Sequence, residues 1–159
     1  MFHVVRKATL DDVDTIGNVH YQAHIETYSD KFPVGIIEGF PAEQRAQLWR
    51  RVLSRASADL WVAEADEQIV GFASAGPSRD DPPARKLELS SIYLLAAHHG
   101  SGLGQELLDA ALGERPASLW VLDHNPRAHA FYARNGFTAD GAERIDKDFG
   151  NVREIRMVR

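Results

Sequence analysis

The chain contains no cysteine. That excludes disulfides, thiolate metal sites and a cysteine nucleophile, and agrees with a reducing, cytoplasmic setting. It has no apolar run approaching the roughly 20 residues of a membrane span. Its start, Met1-Phe2-His3-Val4-Val5-Arg6-Lys7, lacks the longer apolar stretch of a signal peptide. Positive charge is scarce as well: 18 Lys and Arg stand against 23 Asp and Glu, a net charge of −5. Nucleic-acid surfaces call for the opposite balance. Neither a membrane nor a nucleic acid is therefore an expected partner, whereas a cationic substrate is compatible with the charge. A Gly-Lys-Ser/Thr phosphate loop and a Gly-x-Ser-x-Gly nucleophile elbow are both missing. So are repeats, linkers and low-complexity tracts.

What is present suits one compact domain over 1–159 with a real core, since 44% of the 159 residues are hydrophobic. Residues 2–7 read as a strand, and Thr9-Leu10-Asp11-Asp12 as a capping box. The helix that follows places Leu10, Val13, Ile16 and Val19 on one face and runs through His20 and His24 towards Tyr28. Residues 29–35 read as a loop. A second helix lies within 42–56 and carries Leu48, Trp49 and Val52. Strands at 60–63 and 69–74 form a hairpin around Asp66-Glu67-Gln68, and 76–84 is a surface loop. Beyond the central unit described next, 118–122 is a buried strand. Asn125-Pro126 opens a short helix that ends at Asn135-Gly136. Closing strands at 137–139 and 152–158 flank a loop at 146–150.

The centre of the chain is 87–112. An apolar, partly β-branched run at 87–95 predicts a buried strand. Leu103, Leu107 and Ala111 recur at helical spacing, with Leu108 and Leu112 widening the stripe. Between them Gly100, Gly102 and Gly104 sit where that helix begins. Side-chain-free residues there let unpaired backbone N–H groups approach an anion at the positive end of the helix dipole. Leu107 stands where a dinucleotide fingerprint wants a small residue.

His99-Gly100-Ser101-Gly102-Leu103-Gly104 resembles the Arg/Gln-x-x-Gly-x-Gly/Ala signature of the Gcn5-related N-acetyltransferase (GNAT) superfamily, with His99 in the place of Arg or Gln. Asn125-Pro126-Arg127-Ala128-His129-Ala130-Phe131-Tyr132-Ala133-Arg134-Asn135-Gly136-Phe137 resembles the family's second signature, Asn-x-x-Ala-x-x-Phe-Tyr-x-x-x-Gly-Phe. The strand Glu88-Leu89-Ser90-Ser91-Ile92-Tyr93-Leu94 and the hairpin before it are similar to the family's elements in the same order. The resemblance implies an α/β GNAT fold, with a mixed six- or seven-stranded sheet flanked by about four helices. It implies an acetyl-CoA-dependent N-acetyltransferase acting on a primary amine of a small molecule or peptide, in a ternary complex, with no metal. A homodimer is compatible with it. Acetyl-CoA would lie along Ile92, Tyr93, Leu94 and Leu95, between strands 87–95 and 118–122. Its pyrophosphate would rest on His99, Gly100, Ser101, Gly102, Leu103 and Gly104, and Asn125 would touch the pantetheine arm. An amide of Leu94 or Leu95, at a strand irregularity, would polarise the thioester carbonyl.

Amine acetylation needs a group that takes the amine's proton, because an alkylamine with a pKa near about 10.4 is mostly protonated at neutral pH. Glu88 is the candidate, a carboxylate in an otherwise apolar strand; its alternative is a solvent-facing or Arg-paired residue. Tyr132 is the candidate acid for the departing thiolate, and its alternative is core packing beside Phe131. Asn125 also reads as an N-cap. Tyr21, His24 and Tyr28, with Trp49, are candidate walls of an acceptor pocket, as the family often builds it from the first two helices, or else core. His20 and His24 have the spacing of a metal pair, but Tyr21 replaces the glutamate of the zinc-protease motif and no third ligand is evident. A catalytically silent CoA-binding module, which His99 keeps open, and a nucleotide-binding protein are the competing functional classes.

Overall fold

A computed structural model describes residues 2–159. Its elements in chain order are β1 His3–Lys7, α1 Val13–Tyr28, α2 Val34–Glu38, α3 Ala42–Arg55, β2 Asp59–Ala65, β3 Gln68–Pro77, β4 Leu87–Leu94, α4 Leu103–Leu112, β5 Ser118–Leu122, α5 Pro126–Arg134, β6 Thr138–Asp146 and β7 Val152–Val158. The seven strands form one mixed sheet in the order β1-β2-β3-β4-β5-β7-β6. Every neighbouring pair is antiparallel except β4 and β5. Among the described residues no helix is long and apolar enough to cross a membrane.

The helices cover both faces of the sheet, so each face has its own core. Leu103, Leu107, Leu108, Ala111 and Leu112 of α4 are all buried, as their spacing predicts, and pack on Ala63, Ala73 and Leu119. On the other face Val13, Ile16 and Val19 of α1 join Trp49 of α3 against Leu60, Val62 and Phe72. Burying a leucine contributes roughly 2 kcal/mol, so the apolar stripe of α4 alone offsets much of the entropy of ordering that helix.

Four local expectations are corrected. Leu10 is 49% exposed, because residues Leu10–Asp12 form a 3-10 turn that rotates it off the apolar face of α1. In that turn the Asp12 carboxylate accepts the Thr9 amide at 2.8 Å and pairs with Arg6 at 2.8 Å. Part of the expected loop at 29–35 is helical, since α2 begins at Val34. β3 runs on through Gly76 and Pro77, so the surface loop starts later than expected. β6 continues seven residues beyond Ala139, because Glu143, Arg144, Ile145 and Asp146 pair with β7 although their side chains show no alternation of apolar and polar types.

The decisive feature is the junction of β4 and β5. The two strands are paired only at Glu88↔Ser118. Opposite β3, Ser91 pairs with Ser74 and Leu89 with Ala75, which leaves Ser90 as an extra, bulged residue. A bulge bends its strand. Here the Ser74 hydroxyl holds the Ser90 and Ser91 hydroxyls at 2.5 and 2.6 Å. Beyond Glu88 the strands therefore splay, β5 turns to β7, and a V-shaped cleft opens between β4 and β5.

Candidate active site

The cleft has a volume of about 1210 Å³. Pockets for drug-sized ligands run to roughly 300–1,000 Å³, so this one holds a long ligand and leaves room beside it. Its floor is β4 from Glu88 to Leu94, and one wall is β5 with α5. The start of α4 closes one end.

That end is built by backbone conformation. Gly100 and Gly102 have φ of +79° and +92°, in the left-handed region that L side chains rarely adopt. The turn leaves the amides of Gly102, Gly104 and Gln105 without a carbonyl partner among the described residues. The Ser101 hydroxyl donates to the His98 carbonyl at 2.6 Å and accepts the Leu103 amide at 3.3 Å, locking the turn. Leu103 itself is a core residue and Ser101 is a turn lock. Neither lines the cleft, and both amides are engaged, that of Ser101 by the His98 carbonyl at 3.3 Å and that of Leu103 by the Ser101 hydroxyl, so the amides left for a ligand belong to their neighbours. His99 folds back, its Nε2 donating to the Leu94 carbonyl at 2.9 Å, so it staples the end of β4 to the turn. Cations reach this cleft from an unexpected element: Arg127 and Arg134 of α5 both line it.

Along β4 the hydrogen-bond alternation sorts the candidate donors. The Leu95 amide donates to the Val70 carbonyl at 2.9 Å. Antiparallel pairing then turns the amides of Leu94 and Ile92 away from β3, into the gap. Of the two amides expected to polarise a carbonyl, Leu95 is thus engaged and does not line the cleft, and the strand irregularity lies at Ser90 instead.

Glu88 is only 2% exposed and borders the cleft at its apex. Its Oε1 accepts the Arg79 amide at 2.9 Å, and Oε2 accepts Arg79 Nη2 at 2.6 Å. The Arg-paired alternative is realised, within reach of the cleft. Tyr132 is buried between Phe131 and Phe137, and burial pushes its phenol well above the ordinary value, so the hydroxyl keeps its proton. Asn125 is the N-cap of α5, its Oδ1 accepting the Ala128 amide at 3.3 Å, and it also lines the cleft.

The half of the cleft beside α1 is aromatic. His24 and Tyr28 face it together with Tyr93, Phe32 and Phe149, the last two from the segments expected as loops at 29–35 and 146–150. Tyr21 is not part of this wall; its ring lies 5.5 Å from the Arg45 guanidinium, outside the cleft lining. Trp49 and His20 are core, with Trp49 Nε1 donating to His20 Nδ1 at 3.2 Å. Both ring nitrogens of His24 are engaged, Nδ1 by Arg45 at 2.7 Å and Nε2 by the Tyr93 hydroxyl at 2.9 Å. The histidine pair is therefore a packed unit and not an open ligand set.

Burial pushes the two imidazoles down, His20 to about 2 and His24 to about 3, and the Arg45 charge adds to the effect. In the unfolded chain both titrate near about 6.5. Between those values the unfolded state binds more protons, so stability is lost as pH falls below that upper value. Each histidine should cost about 2 kcal/mol by about pH 5. Urea midpoints taken at neutral and mildly acidic pH check this, and a midpoint that stays put contradicts it.

The comparisons with known proteins agree with this geometry. The model of the acetyltransferase (GNAT) domain family matches residues 56–139, more than half of the chain. YuaI of Bacillus subtilis, an uncharacterised N-acetyltransferase, is 28% identical over 160 residues, covering 96% of this chain and 87% of that protein. The probable N-acetyltransferase Rv2775 of Mycobacterium tuberculosis is 25% identical over 143 residues, covering 86% of this chain and 80% of its own. Among solved structures, PaiA N-acetyltransferase from Thermoplasma acidophilum, in complex with coenzyme A, superposes with a TM-score of 0.73 at 22% identity, covering 98% of both chains. YncA from Salmonella typhimurium, a putative acetyltransferase with its cofactor acetyl-CoA, gives 0.70 at 19% identity over 99% of this chain and 92% of its own. The strand order, the splayed β4 and β5, the glycine turn and the family match lead to one statement: this chain belongs to the GNAT family of acetyltransferases.

Proposed function

We propose that the chain is a single-domain enzyme that moves an acetyl group from acetyl-CoA to a primary amine by direct attack in a ternary complex. One observation carries the reading: a cleft between splayed strands that ends on unpaired amides at the start of α4. The residues present fit the coenzyme. Amides of Gly102, Gly104 and Gln105 are placed for a diphosphate, at the positive end of a ten-residue helix, with Arg127 and Arg134 on the facing wall. The inward amides of Ile92 and Leu94 suit the polar groups of an extended arm, and one of them suits a carbonyl oxygen gaining charge. PaiA and YncA, structures of the same fold, hold coenzyme A and acetyl-CoA. When bound, the coenzyme supplies an activated acyl group on sulfur.

The chain's own residues then handle protons. The amine nitrogen bonds to the acyl carbon as the carbon–sulfur bond breaks. Glu88, at the apex, is the proposed destination of the ammonium proton. Arg79 donates to Oε1 from both its amide and Nε, and to Oε2 from Nη2 alone, which leaves a lone pair on Oε2 for a relay through water. Tyr132 is the proposed donor to the departing sulfur. No cysteine is available for a thiol-bound acyl-enzyme, which agrees with direct transfer to the amine.

Incubation with acetyl-CoA and an amine panel, following free thiol, tests the reading. Acceptor-dependent thiol release supports it, whereas coenzyme binding without release identifies a silent binding module. Glu88→Gln is expected to lower the rate about 100-fold. The loss should be greatest at low pH, where less of the amine is unprotonated and its proton most needs a destination. A pH–rate profile parallel to the wild type, in a variant that melts normally, would remove Glu88 from this role.

A further inference from the structure

Arg45 is completely buried, and no carboxylate among the described residues pairs with it. Its guanidinium is held by the carbonyls of Phe40 at 2.6 Å, Ile37 at 3.3 Å and His20 at 3.4 Å, and by His24 Nδ1 at 2.7 Å. Burying a cation without an anion is costly, so the arrangement calls for a reason beyond stability. Its consequence is directional. Arginine has donors only, which makes His24 Nδ1 an acceptor and puts the imidazole proton on Nε2. Nε2 therefore donates to the Tyr93 oxygen at 2.9 Å. The Tyr93 proton is then left to point elsewhere, and among the described residues it has no acceptor. Tyr93 borders the cleft, between the two residues whose amides face the gap.

We propose that Tyr93 is the specificity-determining donor of the acceptor subsite: locked as a donor by Arg45 through His24, it takes an oxygen that the acceptor carries beside its amine. The amine itself is not the partner, because a hydrogen bond to its lone pair would occupy the electrons that attack. The walls beyond, Tyr28, Phe32 and Phe149, are aromatic and close to one another, with ring centroids 5.1–6.2 Å apart. They suit an apolar body. Together these features select an α-amino carbonyl compound with an apolar side chain, an amino-acid amide or a peptide N-terminus; a polyamine would meet the carboxylates of Asp146, Asp148 and Glu154 in the same lining but offers Tyr93 no oxygen. The assignment rests on the acetyl-transfer reading for its place in a reaction, but not for the binding it predicts.

The test is calorimetric titration of the full chain, with coenzyme A present, by phenylalaninamide, 2-phenylethylamine and spermidine. The first two share the ring and the amine and differ in the carbonyl. Wild type should bind phenylalaninamide about 10-fold more tightly than 2-phenylethylamine, and spermidine most weakly. Tyr93→Phe should abolish the ratio while leaving 2-phenylethylamine unchanged. Arg45→Met, by freeing the His24 tautomer, should shrink the ratio, and Arg45→Lys should restore part of it; if Arg45→Met does not fold, the Tyr93→Phe comparison decides. Equal or reversed affinities in wild type, or a Tyr93→Phe variant that weakens both aromatic ligands alike, overturn the proposal. Failure of the acetyl-transfer reading would appear separately, as absent thiol release from acetyl-CoA with every amine whatever the binding ratio.

Discussion

Gly102→Val is expected to weaken acetyl-CoA binding by at least about 100-fold. The residue sits at φ +92°, and a Cβ placed there would meet nothing within 4 Å. The damage therefore comes from the backbone and not from a clash. A left-handed conformation costs an L residue roughly 1–2 kcal/mol, more for a β-branched one, so the turn should relax towards an ordinary conformation. Relaxation turns the amides at the start of α4 away from a common focus. Hydrogen bonds to a charged group are worth about 1.5–3 kcal/mol each, and losing two of them accounts for the 100-fold or more. Gly113→Val is the control, with φ +58° at the other end of the same helix. It should lower stability and leave the coenzyme's affinity alone. Calorimetry with acetyl-CoA on both variants checks the pair, and equal affinities would place the diphosphate somewhere other than this turn.

Tyr132→Phe is expected to reduce kcat about 100-fold while changing acetyl-CoA affinity less than about twofold. The ring's packing on Phe131 and Phe137 survives the change, so only the hydroxyl is lost. A free thiol has a pKa near about 8.5 and a phenol near about 10. Burial raises the phenol further, so full transfer of its proton to the sulfur is uphill by more than about 2 kcal/mol. That is small beside a reaction barrier, and it favours a donor that stabilises the sulfur as charge develops and is reprotonated afterwards. The sign of the shift also sets the pH behaviour: Tyr132 stays protonated through the ordinary phenol range, so the variant's deficit should be flat with pH up to about 10. A deficit that vanishes at high pH, or one that appears in coenzyme affinity, would return Tyr132 to a packing role.

Much of the architecture is local and was therefore legible. The α4 stripe, the Asn125-Pro126 start of α5 and the Gly100–Gly104 turn each follow from residue types within a few positions of one another. Their chemistry does not depend on what lies across the sheet. Glu88 was equally visible, as a carboxylate where a buried strand should have none. Its partner was not, because Arg79 approaches from a loop that has no periodicity to place it.

The amino-acid sequence alone determined the resemblance to the family, through its two signatures, and most of the succession of strands and helices with the position of the glycine turn, since these last rest on short-range spacing and backbone preference. The tertiary structure alone decided which amides of β4 face the gap, because one bulged residue and the register against β3 reverse such assignments. It also decided that Arg45, a charged residue on an outwardly polar helix, is a buried anchor, and that Phe32 and Phe149, 117 positions apart, share a wall. Burial of a charge and meeting of distant loops are properties of packing between elements. No stretch of this chain, read by itself, contains the other half of those contacts.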